Sequence, residues 1–202
     1  EMSASLVGSE MCIRDRAYSM ENRIYNFNPG PAMQPLEVLQ EAQAEFLNFA
    51  KSGMSIIEIS HRSKQYEQVH NQAKADIKEL MGLGDDYEVL FCQGGASMQF
   101  TMIPQNFAVD GKVGNYVLSG SFATKAYDEA KLLNRGFVAA SSKDRDFKHI
   151  PTQDEIKLSD NAAYLHLCYN NTIYGTEYHY IPETGDVPLI ADMSSDMLSR
   201  PL

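Results

Sequence analysis

The sequence predicts an α/β fold in which a mainly parallel sheet is flanked by helices. Short apolar runs such as "AYLHLC" and "VPLIA" lack polar alternation, which is typical of strands buried on both faces. These runs alternate along the chain with segments whose apolar residues recur at helical spacing. Turn residues separate the two kinds of segment. The order favours one α/β domain behind an amino-terminal arm.

The amino-terminal part predicts an irregular arm followed by two helices. The turn-rich stretch "NRIYNFNPGPAM" forms the arm, and Pro35 suits the first turn of a helix. Apolar residues then recur at helical spacing: Leu36, Leu39, Ala42, Phe46 and Phe49. "KSGMSIIEISHRS" interrupts this period. Ser63 is the expected cap of the next helix, which Gly82 ends.

The rest of the chain predicts five strands with helices between them. The expected strands are 87–93, 115–120, 137–141, 163–170 and 187–193. The expected helices are 96–107, limited or kinked by Pro104; 121–136, ended by Gly136; and 151–159, capped by Thr152.

Composition narrows the class of partner. The chain has 202 residues and a formal net charge of −10, which argues against a nucleic acid or an anionic membrane surface as the main partner. Its apolar runs are shorter than the roughly 20 residues of a membrane helix. The cysteines Cys12, Cys92 and Cys168 lie far apart, which predicts a reducing, cytoplasmic location and no zinc or other metal site.

Candidate ligand-binding residues follow the predicted strands, because ligands of open α/β sheets bind beyond the carboxyl ends of the strands. In "FCQGGASMQF", Gly94 and Gly95 allow a sharp turn into a helix. The free amides at Gly95, Ala96 and Ser97 and the helix dipole favour a phosphate. A plain strand-to-helix turn explains the two glycines equally well.

Three further candidates have ordinary explanations as well. Phe122 can stack on a flat ligand or simply belong to the core. Thr172 can donate a hydrogen bond to a ligand oxygen or serve the turn. Arg62, with His61 beside it, can hold a carboxylate through two parallel hydrogen bonds or be a surface arginine.

Asp192 ends the last apolar strand, where an ionised carboxylate is costly unless a positive group meets it. Beside a phosphate turn, an aromatic ring and a hydroxyl, it suggests a flat, phosphorylated and protonatable ligand. Pyridoxal 5'-phosphate is such a molecule, and Asp192 would keep its ring nitrogen protonated. A helix cap or a metal ligand is the alternative for Asp192 alone.

The motifs together resemble the phosphoserine aminotransferases, pyridoxal-phosphate enzymes of the aspartate-aminotransferase fold (fold type I, class V). The resemblance lies in "FNPGPA", "ISHRS", "FCQGGASMQF", "LCYNNTIYGTEY" and "IADMSSDMLSRPL", in this order. It covers the chain from Met20 onward.

The resemblance implies a role for each candidate. Gly95, Ala96 and Ser97 correspond to the phosphate-binding turn, and Thr172 to a residue near the phenolic oxygen of the cofactor. Asp192 corresponds to the partner of the pyridine nitrogen, and His61 and Arg62 to the substrate-anion site. Phe122 falls where the family usually places a stacking tryptophan, and this chain has no tryptophan.

Residues 1–19 lack the apolar core of a secretory signal and carry acidic residues unlike a transit peptide, so we expect an artefactual or disordered leader. The resemblance divides the rest of the chain into an arm, 20–34, and an incomplete pyridoxal-phosphate-binding large domain, 35–202. The family places its Schiff-base lysine and its carboxyl-terminal domain beyond Leu202. We therefore expect this chain to be a truncated amino-terminal fragment without transaminase activity.

The expected function of the parent protein is phosphoserine transamination. It would move an amino group from L-glutamate to 3-phosphohydroxypyruvate, giving O-phospho-L-serine for serine biosynthesis, and would also serve pyridoxine biosynthesis. The full-length enzyme is expected to be a homodimer. The alternatives are another class V enzyme, such as a different aminotransferase or a cysteine desulfurase, and a non-catalytic binding or dimerisation fragment.

Overall fold

The computed structural model describes residues 23–28 and 30–200, so the expected leader at residues 1–19 lies outside the described residues. The chain divides into two units between Phe46 and Leu47, and each is described by itself. In the first unit, the expected helix is observed as α1 (Leu36–Glu45). Pro35 is its N-cap, one position before the first turn.

The second unit begins with a helical turn at Phe49–Lys51 and the long helix α2 (Lys64–Leu80). The predicted cap is confirmed, because the Ser63 hydroxyl accepts a hydrogen bond of 3.2 Å from the Tyr66 amide. Helix α3 (Gly95–Phe107) continues past Pro104 to Phe107. Helix α4 is Ser121–Leu132.

The strands confirm a parallel sheet. They are β1 (Val113–Leu118), β2 (Gly136–Ser141), β3 (Ala162–Cys168), β4 (Asn170–Asn171), β5 (Thr176–Glu177) and β6 (Leu189–Asp192). The main sheet has the order β2-β1-β3-β6, and every pair in it is parallel. The strands β4 and β5 form a small antiparallel pair. The expectation of an α/β fold with a mainly parallel sheet flanked by helices is thus confirmed.

The core lies on both faces of this sheet because side chains along β3 alternate. Tyr164 on one face packs with Tyr116 of β1, Phe100 of α3 and Ala126 of α4. On the other face, Leu165 and Leu167 pack with residues of irregular segments, among them Ile156 and Tyr178. The described helices α3 and α4 therefore cover one face, and irregular chain covers the other.

Two predicted boundaries are wrong for physical reasons. The strand expected at 87–93 is irregular, since no strand of the described residues pairs its backbone and its Leu90 and Phe91 are exposed. The helix expected at 121–136 ends at Leu132, because Asn134 turns into the left-handed region with φ +55°. Gly136 instead begins β2.

The segment predicted as a helix at 151–159 is a single tight turn, Gln153–Glu155. Thr152 is the N-cap residue of this turn, as predicted, and its amide donates a hydrogen bond of 2.7 Å to Glu155 Oε2. The remaining strand boundaries differ from the prediction by one or two residues, with Asn170 assigned to β4 rather than β3.

Within the part of the chain that the structure describes, no helix is both long and apolar enough to span a membrane.

Candidate functional site

The strand order places the candidate site at the carboxyl ends of the strands. From β1 the chain crosses to β2 on one side, whereas β3 leads to β6 on the other side. Strands β1 and β3 are therefore neighbours whose connections leave in opposite directions, which is where open parallel sheets bind ligands. The carboxyl ends of β1, β3 and β6 all lie at one edge of the sheet, because the three strands are parallel.

A buried asparagine joins the loops that follow β1 and β3. The Asn171 side chain donates a hydrogen bond of 2.6 Å to the Ser119 carbonyl, and Asn171 is almost fully buried. A Cβ on Gly120 would collide with this side chain, so a glycine is needed there. This contact holds the start of α4, with Phe122, beside the turn that carries Thr172.

Asp192 lies at the end of β6 and is held by three uncharged donors. Its Oδ1 accepts from the Ser194 amide at 3.0 Å and from the Ser194 hydroxyl at 2.6 Å. Its Oδ2 lies 3.6 Å from the Cys168 Sγ. No lysine or arginine of residues 23–28 and 30–200 forms a salt bridge with it. The carboxylate charge is therefore left for a cation that the described chain does not supply.

His166 does not supply that cation at neutral pH. It lies two residues before Cys168 on β3 and is only 2% exposed, with its ring beside Phe100 and Tyr116. Burial lowers the pKa of His166 from its ordinary value of 6.5 to about 4, although the charge of Asp192 acts in the opposite direction. The imidazole is therefore neutral beside the carboxylate.

A cavity of about 270 Å³ joins Asp192 to the predicted phosphate turn. Its volume is slightly below the roughly 300–1,000 Å³ that is usual for small-molecule sites. Most of the wall is apolar, and the lining residues are Ala96, Gln99, Phe100, Ile103, His166, Ile190, Ala191, Asp192, Met193 and Ser194. Ala96 and Asp192, which are 96 residues apart in sequence, thus line the same cavity.

The turn into α3 has the geometry of an anion site. Gly94 has φ +85°, and a Cβ there would collide with Met98. No side chain caps the helix, so the amides of Gly95, Ala96 and Ser97 stay free to donate. Gly95 and Ser97 are exposed.

Thr172 and Phe122 follow strands of the sheet but do not line the cavity that contains Asp192. The Thr172 hydroxyl is 2.7 Å from the Ser195 hydroxyl, which ties it to the segment that follows Asp192. Phe122 is 37% exposed in the first turn of α4, with the Lys125 Nζ 5.2 Å from its ring centroid.

His61 and Arg62 line a second cavity, of about 1,000 Å³, together with Phe91, Cys92 and Gln93. Gln93 directly precedes Gly94, so this cavity adjoins the phosphate turn along the chain. Among the described residues the Arg62 side chain forms no salt bridge. The two cavities share no lining residue, so Arg62 and Asp192 line different cavities.

Sequence reasoning missed His166, Cys168, Ser194, Ser195 and Asn171. A signal existed for His166, since an ionisable residue in an apolar strand is unusual. Ser194 lies two residues after Asp192, a spacing at which short polar side chains and backbone amides commonly form local hydrogen bonds, and Ser195 follows it. No local signal marks Cys168, because its role depends on the register that places it opposite Asp192.

These residues fit pyridoxal 5'-phosphate. An uncompensated carboxylate suits a protonated pyridine nitrogen, the free amides of α3 suit a phosphate, and the apolar wall suits a flat ring.

Known proteins resemble this chain over most of its length. The family model for aminotransferase class-V matches residues 24–202. Phosphoserine aminotransferase of Desulfosudis oleivorans is 56% identical over 184 residues, which are 91% of this chain and 50% of that protein. The enzyme of Niallia circulans is 56% identical over 182 residues, 90% of this chain and 50% of that protein.

Solved structures show the same fold. Phosphoserine aminotransferase from Bacillus circulans subsp. alkalophilus matches with a TM-score of 0.86 and 56% identity, covering 89% of this chain and 50% of that chain. The pyridoxal-phosphate-bound enzyme from Trichomonas vaginalis matches with a TM-score of 0.81 and 40% identity, at 89% and 50% coverage. The chain spans about half the length of the curated relatives that it matches. The chain belongs to the class-V aminotransferase family.

Proposed function

We propose that the whole protein is a phosphoserine transaminase. It transfers the amino group of L-glutamate to 3-phosphohydroxypyruvate and forms O-phospho-L-serine, in serine biosynthesis. The names of the relatives at 56% identity support this reaction. The single structural observation that carries it is the Asp192 carboxylate, unpaired by any described cation, in a cavity that reaches the first turn of α3.

Pyridoxal 5'-phosphate is the proposed cofactor. When bound, it supplies a protonated ring that withdraws electrons from the substrate's amino carbon. The amides of Gly95, Ala96 and Ser97 bind its phosphate, and Phe122 offers a flat face to its ring. The Thr172 hydroxyl donates to its phenolic oxygen.

Asp192 holds the proton on the pyridine nitrogen. An ionised carboxylate stabilises the charged form of that nitrogen by about 1.36 kcal/mol for each unit by which it raises the nitrogen's pKa. The mostly apolar wall of the cavity strengthens this effect, because it lowers the local dielectric constant around the pair.

His61 and Arg62 are proposed to bind the anionic groups of the substrate. The Arg62 guanidinium can donate two parallel hydrogen bonds to a carboxylate or a phosphate, and His61 lies beside it in the larger cavity. A lysine in place of Arg62 would keep the charge but lose the paired geometry.

The further roles of the whole protein are part of the same proposal. We propose a cytoplasmic homodimer that also aminates the related four-carbon intermediate of pyridoxine synthesis. The lysine that would anchor the cofactor and move the substrate proton is proposed to lie outside the half of the relatives' length that this chain matches. The 202-residue chain alone is expected to bind the cofactor weakly and to turn over no substrate.

Two experiments test the proposal. The first titrates pyridoxal 5'-phosphate into the 202-residue chain and its Asp192→Asn and Asp160→Asn variants, followed by ligand absorbance. Asp192→Asn should weaken binding about tenfold or more, which corresponds to about 1.4 kcal/mol. The exposed Asp160 has no hydrogen-bond or salt-bridge partner among the described side chains, so its variant should bind like the parent chain. Equal affinity in all three would contradict the role of Asp192.

The second experiment measures 2-oxoglutarate formation by the full-length protein from L-glutamate and 3-phosphohydroxypyruvate. Arg62→Lys should raise KM for the phosphorylated acid with a smaller effect on kcat. Release of sulfide from L-cysteine, without transamination, would instead identify a cysteine desulfurase.

A further inference from the structure

A residue of the neighbouring strand β3 contacts the Asp192 carboxylate. Strands β3 and β6 run parallel in a register that places Cys168 directly opposite Asp192. Side chains at paired positions of parallel strands point to the same face of the sheet. The Cys168 Sγ accordingly lies 3.6 Å from Asp192 Oδ2, within reach of a hydrogen bond from the thiol.

The two oxygens of the carboxylate have different partners. Ser194 donates to Oδ1 through both its amide and its hydroxyl, whereas Cys168 donates to Oδ2. Because the two sets of donors lie on different elements, together they fix the rotation of the carboxylate about its Cβ–Cγ bond. Loss of either set leaves one oxygen without its donor.

The thiol is a lasting donor at this position. Cys168 is 4% exposed, and burial raises the pKa of its thiol, with the charge of Asp192 acting in the same direction. It therefore keeps its proton at neutral pH. A protonated, buried thiol is a poor nucleophile, so Cys168 does not compete for an aldehyde ligand.

Cys168 is not among the residues that line the cavity of Asp192. It acts on any ligand there through Asp192 and not by contact. We propose that Cys168 is a positioning residue, whose thiol holds the Asp192 carboxylate in the orientation that meets the pyridine nitrogen of the cofactor. This inference rests on the proposed function and adds to it a residue on the neighbouring strand.

Infrared spectroscopy tests the hydrogen bond without any ligand. The S–H stretching band lies in a window free of other protein absorption, and the band of Cys168 is the one that disappears in Cys168→Ser. In Asp192→Asn the acceptor loses its charge, so this band should move to higher frequency. An unchanged band in Asp192→Asn would overturn the inference.

Ligand binding tests the consequence. The probes are pyridoxal 5'-phosphate and a phosphorylated benzaldehyde analogue in which CH replaces the ring nitrogen. Cys168→Ala should weaken binding of pyridoxal 5'-phosphate about fivefold, the scale of one ordinary protein hydrogen bond, because a thiol is a weak donor even to a carboxylate. Cys168→Ser keeps a donor of similar size and should restore affinity. Binding of the carbocyclic analogue should be equal in all three proteins, because it has no nitrogen for Asp192 to meet.

The outcomes separate the inference from the proposed function. If Asp192→Asn weakens binding and Cys168→Ala does not, the function stands and the role of Cys168 is overturned. If Cys168→Ala and Cys168→Ser weaken both ligands alike, the residue serves packing and the inference is again overturned. If the parent chain shows no preference for the pyridine ligand, the function and the inference both fail.

Discussion

A histidine lies in the middle of β3, where its neighbours in the strand are apolar or aromatic. His166 is packed between the rings of Phe100 and Tyr116, and its Nδ1 has no hydrogen-bond partner in the described residues. Beyond these rings, the charged group that faces it is Asp192. Such a residue makes stability depend on pH, because burial disfavours its charged form in the folded state.

We predict that the free energy of unfolding falls as the pH decreases from about 6.5 to about 4. In this window the unfolded chain protonates His166, whereas the folded chain, with its pKa lowered to about 4, does not. The full difference is roughly 3 kcal/mol, at 1.36 kcal/mol per pKa unit. Urea denaturation at several pH values measures it, with His166→Gln as the comparison. Parallel pH profiles for the two proteins would contradict the prediction.

The sequence identified Asp192 as an unusual charged residue but did not identify the groups that hydrogen-bond it. Asp192 could be chosen because an acid at the end of an apolar strand is anomalous, and no lysine or arginine of the described residues forms a salt bridge with it. Which groups hold it could not be chosen, since Cys168 reaches it only through the pairing of β3 with β6. Register is a long-range property that local sequence patterns do not specify.

Among the elements, helices α2 and α3 begin in different ways at their amino termini. Helix α2 begins with a side-chain cap, Ser63, whereas α3 begins at Gly94 in the left-handed region with no cap. The first arrangement uses up an orphan amide, and the second leaves the amides for a ligand. Each start makes its own prediction for a substitution.

Ser63→Ala should destabilise the chain by about 1 kcal/mol, because the Tyr66 amide loses its acceptor. Ser63→Asp should restore most of this loss, since a carboxylate caps equally well and suits the positive end of the helix. Chemical denaturation of the three proteins checks both values. Equal destabilisation by Ala and Asp would show that the cap is not the cause.

Gly94→Ala should cost more than about 1 kcal/mol, since the new methyl group meets Met98 in a conformation that L-residues avoid. Gly53→Ala is the matched control: its φ of +76° is similar, but nothing lies within 4 Å of the added Cβ. The difference between the two midpoints in urea isolates the collision. If Gly53→Ala were the more harmful change, the collision with Met98 would carry no weight.

Helices and strands were predictable where their backbone hydrogen bonds are made within the described part of the chain. Among residues 23–28 and 30–200, the strands of the main sheet and the helices α1 to α4 follow from apolar period and turn residues. Residues 87–93 have the composition of a strand but no pairing partner among the described residues, so composition alone misled there. Helix α4 ends before the expected Gly136, because Asn134 adopts the left-handed conformation that terminates it.

At the scale of the whole molecule, charge and exposed apolar surface act in opposite directions. The net charge of −10 favours solubility by mutual repulsion. Large apolar side chains are nevertheless exposed in the second unit, among them Leu47, Ile57, Leu90 and Leu132. Exposed apolar surface of this kind favours association.

We predict that the chain self-associates, and most strongly near its isoelectric pH of about 4.9, where repulsion between copies disappears. Light scattering against concentration at pH 5 and pH 8 measures this. Leu90→Glu, at a side chain that is 72% exposed, should reduce scattering at pH 8, whereas Asp160→Asn should not. A concentration-independent monomer at both pH values would contradict the prediction.

The strand that carries Asp192 is the outermost strand on its side of the main sheet, bonded to β3 and to no further strand of the described residues. Amide hydrogens along such a border are the first to open to solvent, so deuterium should replace them sooner at 189–192 than at 164–168. A ligand bound in the cavity at Asp192 should slow this exchange, because it stabilises the end of the strand. The exchange rate of the four amides at 189–192 therefore reports ligand binding without a chromophore or an activity assay.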